Sequence, residues 1–143
     1  MATAKVILVA VDGSAGSDRA VAYALDLCGA GLSARLHLLN VQPSLGGAVS
    51  AFVAKDQIDD QHREEGTKAL ASAVALARAA SVPAESHIGV GRQGAVVSDF
   101  VDKIGAGLVV VGTRGHTGLG GMLMGSVAQD VVANVKVPVT LVK

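Results

Sequence analysis

Six glycines fall between Gly112 and Ser126, after the apolar run Leu108-Val109-Val110-Val111 and before a helical stripe of Val127, Val131, Val132 and Val135. Strand-to-helix connections in α/β units usually take about 2–6 residues, and Thr113 to Met124 is twice that length. Glycines let the main chain approach a ligand without a Cβ in the way. A loop rich in exposed N–H groups that ends at a helix N-terminus is a site for anions, phosphates above all. Ser126 adds a hydroxyl at the helix start, and Arg114 and His116 are further candidate phosphate contacts. Glycine content alone would serve a plain flexible loop equally well; the length, the place after a strand and the Gly-Ser at the helix entry favour phosphate.

Gly120 to Ser126 spells G-x-x-x-x-G-S, the Walker A pattern without its lysine. That lysine reaches the terminal phosphates and stabilises charge during phosphoryl transfer. The stretch also lies too far from its strand for a P-loop. It therefore reads as a holder of phosphate rather than a site of fast hydrolysis. Asp12, at the end of the first apolar run, admits two readings. Its carboxylate could accept hydrogen bonds from ribose hydroxyls, or Asp12-Gly13-Ser14 could be ordinary turn and N-cap chemistry. The remaining candidates are weaker. His37, His62, His87 and His116 lack metal-ligand spacing, and His37 and His87 fall in strands, which suggests structural roles. Asp59-Asp60 and Glu64-Glu65 read as a solvated helix face, and Cys28 as a small packing residue.

These residues need a scaffold, and the chain spells one out as βαβαβαβαβ. Val6–Val11, Leu36–Val41, Glu85–Val90, Leu108–Val111 and Val139–Val142 read as strands, the first and fourth as continuous apolar runs. The first helix follows Ser14 or Ser17 as N-cap, carries Ala20, Val21, Ala24, Leu25 and Cys28 on one face, and stops at Gly29 and Gly31. Ser44 to Ser50 reads as a mobile loop. The next helix is clear only from Thr67, through Leu70, Ala73, Val74 and Ala77. A third carries Val96, Val97, Phe100, Val101 and Ile104. Alternating strands and helices imply right-handed crossovers and one open, mostly parallel sheet with helices on both faces. Ligands of such sheets bind beyond the carboxyl ends of the strands, where strand order reverses.

Composition agrees. The 143 residues read as one domain, residues 1–143, half of them hydrophobic, with no Trp, one Tyr and two Phe. Twelve basic residues balance twelve acidic ones, which argues against a nucleic-acid partner or an anionic membrane surface. One cysteine precludes an internal disulfide. No run approaches the roughly 20 apolar residues of a membrane helix. The expectation is a cytoplasmic protein without membrane insertion.

Four segments together resemble the universal stress proteins of the UspA superfamily. They are Val9-Ala-Val-Asp-Gly-Ser, Leu108-Val-Val-Val-Gly-Thr-Arg-Gly, Leu123-Met-Gly-Ser-Val-Ala and Val137-Pro-Val-Thr-Leu-Val. The nucleotide motif of that family, G-x2-G-x9-G-[ST], is matched by Gly112, Gly115, Gly125 and Ser126. The resemblance implies a five-stranded parallel sheet of order 3-2-1-4-5, with Asp12 and the glycine loop facing one cleft. It implies Asp12 on ribose, the Val41 backbone at adenine, Gly112 and Gly115 along ribose and phosphate, and Gly125, Ser126 and Val127 on phosphates. Ala10 and Val111, at the ends of strands one and four, belong to the same implied set. The ligand would be ATP, or ADP or AMP, with Mg2+ held through the phosphates. The resemblance also implies a homodimer through the last strand, an unidentified regulatory protein partner and a role as a stress-response regulator. A dimeric scaffold with a vestigial site and a slow ATP hydrolase are the alternatives. Gly107 departs from the family, where an Asp is usual.

Overall fold

The computed structural model describes residues 5–31, 34–45, 54–114 and 124–143. The elements run β1 (Lys5–Ala10), α1 (Ala15–Gly29), β2 (Ala34–Gln42), α2 (Lys55–Ala79), β3 (Ala84–Val90), α3 (Gln93–Ile104), β4 (Leu108–Gly112), α4 (Ser126–Asn134) and β5 (Val139–Val142). The sheet order is β3-β2-β1-β4-β5, parallel throughout, as the resemblance implied.

Alternation along the central strands builds two cores. Ile7, Val9, Val11, Leu36, Leu38 and Val110 face α1 and α2, meeting Val21, Leu25, Leu70 and the small Ala20, Ala24, Ala73 and Ala77. Leu8, Ala10, Leu39, Val41, Val109 and Val111 face α3 and α4, packing on Val97, Val101 and Val131. A strand buried on both faces has no room for polar alternation, which is why β1 and β4 read as continuous apolar runs and β2, from Leu36 to Val41, is broken only by the buried His37 and Asn40.

α2 corrects the sequence expectation, since it begins at Lys55 rather than Thr67 and runs for 25 residues. Its first turns are largely exposed, with Asp59, Asp60, Glu64 and Glu65 all in solvent; burial begins at Gly66 and continues at Leu70, Ala73 and Ala77. A helix that buries nothing in its first turns has no apolar stripe to read. The expected loop at Ser44–Ser50 lies outside the described residues from 46 onward. Of the two serines proposed to cap α1, Ser14 is the cap: its Oγ accepts from the Ser17 amide at 3.1 Å.

Candidate functional site

Order reversal between β1 and β4 opens a gap at the carboxyl ends of the sheet, and the first turns of three helices converge on it. The resulting cavity measures ≈ 120 Å³. Its wall includes Ala10, Asp12, Val111, Gly112, Arg114, Gly125, Ser126 and Val127. A shallower recess of ≈ 490 Å³ adjoins it, shares Gln93, Ser126 and Val127, and extends to Pro43, Arg92 and Asp130. The first compartment alone falls short of the roughly 300–1,000 Å³ of a small-molecule pocket; the two-lobed groove reaches it.

The structure thus brings together eight of the eleven residues singled out from sequence. Val41 is not on the cavity wall, but its carbonyl accepts from Gln93 Nε2 at 3.0 Å, and Gln93 is on the wall. Gly115 and His116 lie outside the described residues. Ser17, Gln93 and Thr113 also line the cavity and were not anticipated. Gln93 opens a helix after Gly91-Arg92, so its place after a strand was the available signal.

The turn reading of Asp12 holds, and the turn also places Asp12 on the cavity wall. The carboxylate lines the cavity, and its Oδ1 accepts from the Ser14 amide at 2.9 Å and from the Ser14 hydroxyl. The Asp12 amide in turn donates to Ser17 Oγ at 3.2 Å. The turn fixes the carboxylate at the end of β1 rather than competing with a role there.

Gly112 has a structural reason of its own. A Cβ at this position would stand 2.6 Å from the Gly16 carbonyl oxygen, and one on Gly16 would stand 2.2 Å from that of Arg114. The first turn of α1 is therefore pressed backbone to backbone against the end of β4, which sets the width of the gap.

The three helix N-termini differ in how their orphan amides are satisfied. In α1, Ser14 occupies one. In α3, the Gly94 amide donates to Asp130 Oδ2 at 2.6 Å, and Asp130 is further braced by Arg92 at 3.3 Å and by Asn134. α4 instead has Gly125 at its N-cap, with no side-chain capping hydrogen bond. Gly125 is itself tied back by its amide to the Thr113 carbonyl, which closes the ends of the glycine loop. Ser126, Val127 and Ala128, the first turn of α4, line the cavity, and a helix N-terminus at such a place favours an anion.

A model of the Universal stress protein family matches residues 3–143. The chain belongs to this family. Among universal stress proteins, it is 32% identical over 142 residues to MJ0531 of Methanocaldococcus jannaschii, spanning 97% of this chain and 82% of that protein. It is 33% identical over 147 residues to YxiE of Bacillus subtilis, spanning 96% and 97%. A universal stress protein solved in complex with cAMP shares 27% identity and superposes with a TM-score of 0.72 over 99% of both chains. Among the described residues, no helix is long and apolar enough to cross a membrane.

Proposed function

We propose that this universal stress protein binds an adenine nucleotide, ATP foremost, in the groove beyond β1 and β4, and that it acts as a nucleotide-dependent regulator. The observation that carries this reading is the convergence of Asp12, Gly112 and the N-terminus of α4, without a side-chain cap, on one cavity. The cAMP complex of a 27% identical relative supports the same ligand class. In this reading the first-turn amides of α4 and the Ser126 hydroxyl take the phosphates, and Mg2+ is held through those phosphates. The Asp12 carboxylate takes the ribose. Gly115, Arg114 and His116 belong to the phosphate end. The base lies toward Gln93 and the Val41 backbone, and must share or displace the Gln93 amide on the Val41 carbonyl.

A lysine equivalent to that of a P-loop is missing from Gly120–Ser126, so the site favours holding nucleotide over turnover. The protein partner then reads a surface altered by the nucleotide. β5 is the edge of the sheet and exposes Leu141. An apolar edge strand invites pairing, and we place the homodimer contact there. The cytoplasm remains the expected compartment.

Calorimetric titration with ATP, ADP, AMP and cyclic AMP tests the reading. Saturable heat with at least one is expected; silence from all four, with the protein folded, overturns it. ATP turnover at the ordinary enzymatic scale of about 1–10³ s⁻¹ would overturn the holding role.

A further inference from the structure

Away from the nucleotide groove, β2 and β3 bring together three metal-ligating side chains. The parallel register sets His37 opposite Glu85 and Leu39 opposite His87. Because side chains alternate along a strand and register partners project to the same side, Glu85, His87, His37 and Leu39 all lie on one face of the sheet. His37 Nδ1 lies 2.8 Å from His87 Nε2 and 3.4 Å from a Glu85 oxygen. One ligand atom from each of the three falls within 4.8 Å of the others.

The two imidazole planes are 8° apart and their centroids are 5.1 Å apart. That is the largest separation a 2.8 Å nitrogen–nitrogen contact permits between two five-membered rings. The rings therefore meet nose to nose, and one proton lies between the two nitrogens. His37 is 4% exposed, which holds its ring in place, whereas His87 is half-buried against Phe100 and Glu85 reaches solvent. The donor set is two imidazoles and a carboxylate, with an open side toward water.

We infer that His37, Glu85 and His87 form a binding site for a single divalent ion of the zinc class. Two imidazole nitrogens and a carboxylate oxygen suit such an ion, with water completing four-coordination. Bonds of zinc length in a tetrahedron set neighbouring donors about 3.3 Å apart. The His37–Glu85 spacing already matches, and the His37–His87 spacing has to open by about half an ångström. The facing lone pairs must also tilt towards a common point, a movement of His87 on the edge strand. The proton between the rings transfers to the remote nitrogen of whichever imidazole carries it, so the neutral pair binds metal by one tautomeric shift with no net proton loss. Glu85 supplies the favourable charge, and Arg35 opposes it. Burial lowers the His37 imidazole from its ordinary range, which works in favour of the neutral form that ligates.

The test uses chelator-treated full-length protein without nucleotide, so that metal carried by phosphates does not enter. Titration with Zn2+ is expected to show one ion per chain, and Co2+ is expected to give the visible absorption of a low-coordinate histidine-bound ion. His87→Ala and, separately, Glu85→Gln should each weaken Zn2+ binding by at least about tenfold, the penalty for losing even an indirect supporter of a ligand. Glu85 is exposed, so its variant reports on the site should His87→Ala fail to fold. No Zn2+ uptake by the parent protein, or affinity unchanged in Glu85→Gln, overturns the inference. Loss of nucleotide binding would leave it standing, since no ligating residue lines the groove.

Discussion

Gly112 is claimed by two different physical requirements, and substitution separates them. The family motif assigns it to the nucleotide, whereas the structure shows its Cα facing the backbone of Gly16. In Gly112→Ala the new Cβ would sit 2.6 Å from the Gly16 carbonyl oxygen and 2.9 Å from the carbonyl carbon. Both are main-chain atoms at the start of a helix, and no side-chain rotation relieves the contact. Overpacking of this kind costs about 1–3 kcal/mol, or roughly 3–10 °C in Tm for a chain of this size. Gly16→Ala is the companion. Alanine in a helix is favoured over glycine by about 1 kcal/mol, but a Cβ 2.2 Å from the Arg114 carbonyl oxygen has to move the start of the glycine loop, so the net sign remains destabilising. Urea unfolding of the nucleotide-free proteins is the assay. Both variants should show a lower midpoint at unchanged m, and the double variant should cost less than the two together because both open the same contact. A Gly112→Ala protein within about 0.5 kcal/mol of the parent would refute the packing argument and leave Gly112 with a ligand role alone.

Other expectations follow from the same geometry. Ser14→Ala removes the α1 cap and a donor to Asp12; a loss of about 0.5–2 kcal/mol in denaturant unfolding should accompany weaker nucleotide binding, and unchanged affinity would separate the turn from the site. Leu141→Lys places a charge on the exposed β5 edge, and sedimentation should show a shift from dimer to monomer; a dimer that persists puts the contact elsewhere. In chelator-treated protein, burial, reinforced by His87 and Arg35 and opposed by Glu85, depresses the His37 imidazole. The unfolded chain then takes up the proton first, so stability is complete above about pH 6.5 and falls as pH drops towards the depressed value. His37→Gln should flatten that slope between pH 7 and 5, and an identical slope would exclude His37 as its source.

The legible parts of this chain are those where local pattern and tertiary role coincide. β1, β2 and β4 are buried on both faces, and their predominance of Val, Leu and Ile, unbroken in β4 and interrupted between Leu36 and Val41 of β2 only by His37 and Asn40, left one reading. The glycine loop was legible because a connection of that length has few structural reasons to exist. α2 hid its first turns because no residue before Gly66 is fully buried among the described residues, and its charges look the same in a loop as on a solvated helix. Gln93 was missed because its amide acts through the Val41 carbonyl, 52 residues away in sequence. His37 and His87 were dismissed for want of ligand spacing, since that spacing is counted along the chain. The register of β2 against β3 replaces a gap of fifty residues by a contact of 2.8 Å.

The contrast among helix N-termini carries the functional argument further than the glycine motif does. All three first turns around the groove present orphan amides, and leaving such donors unsatisfied in a closed site is costly. α1 and α3 resolve this internally, through Ser14 and through Asp130 reaching across from α4. At α4 the N-cap residue offers no side chain at all, because it is Gly125. Asp130 sits one turn into α4, so the residue that satisfies α3 also couples the two helices across the groove. In the proposed reading a phosphate at the start of α4 would lie one turn from Asp130, which holds the first turn of α3, and α3 begins with the Gln93 that holds the Val41 carbonyl. Asp130, which also lines the shallower recess, thus ties α4 to α3 where the two lobes of the groove meet, and Asp130→Asn should loosen that tie without touching the start of α4.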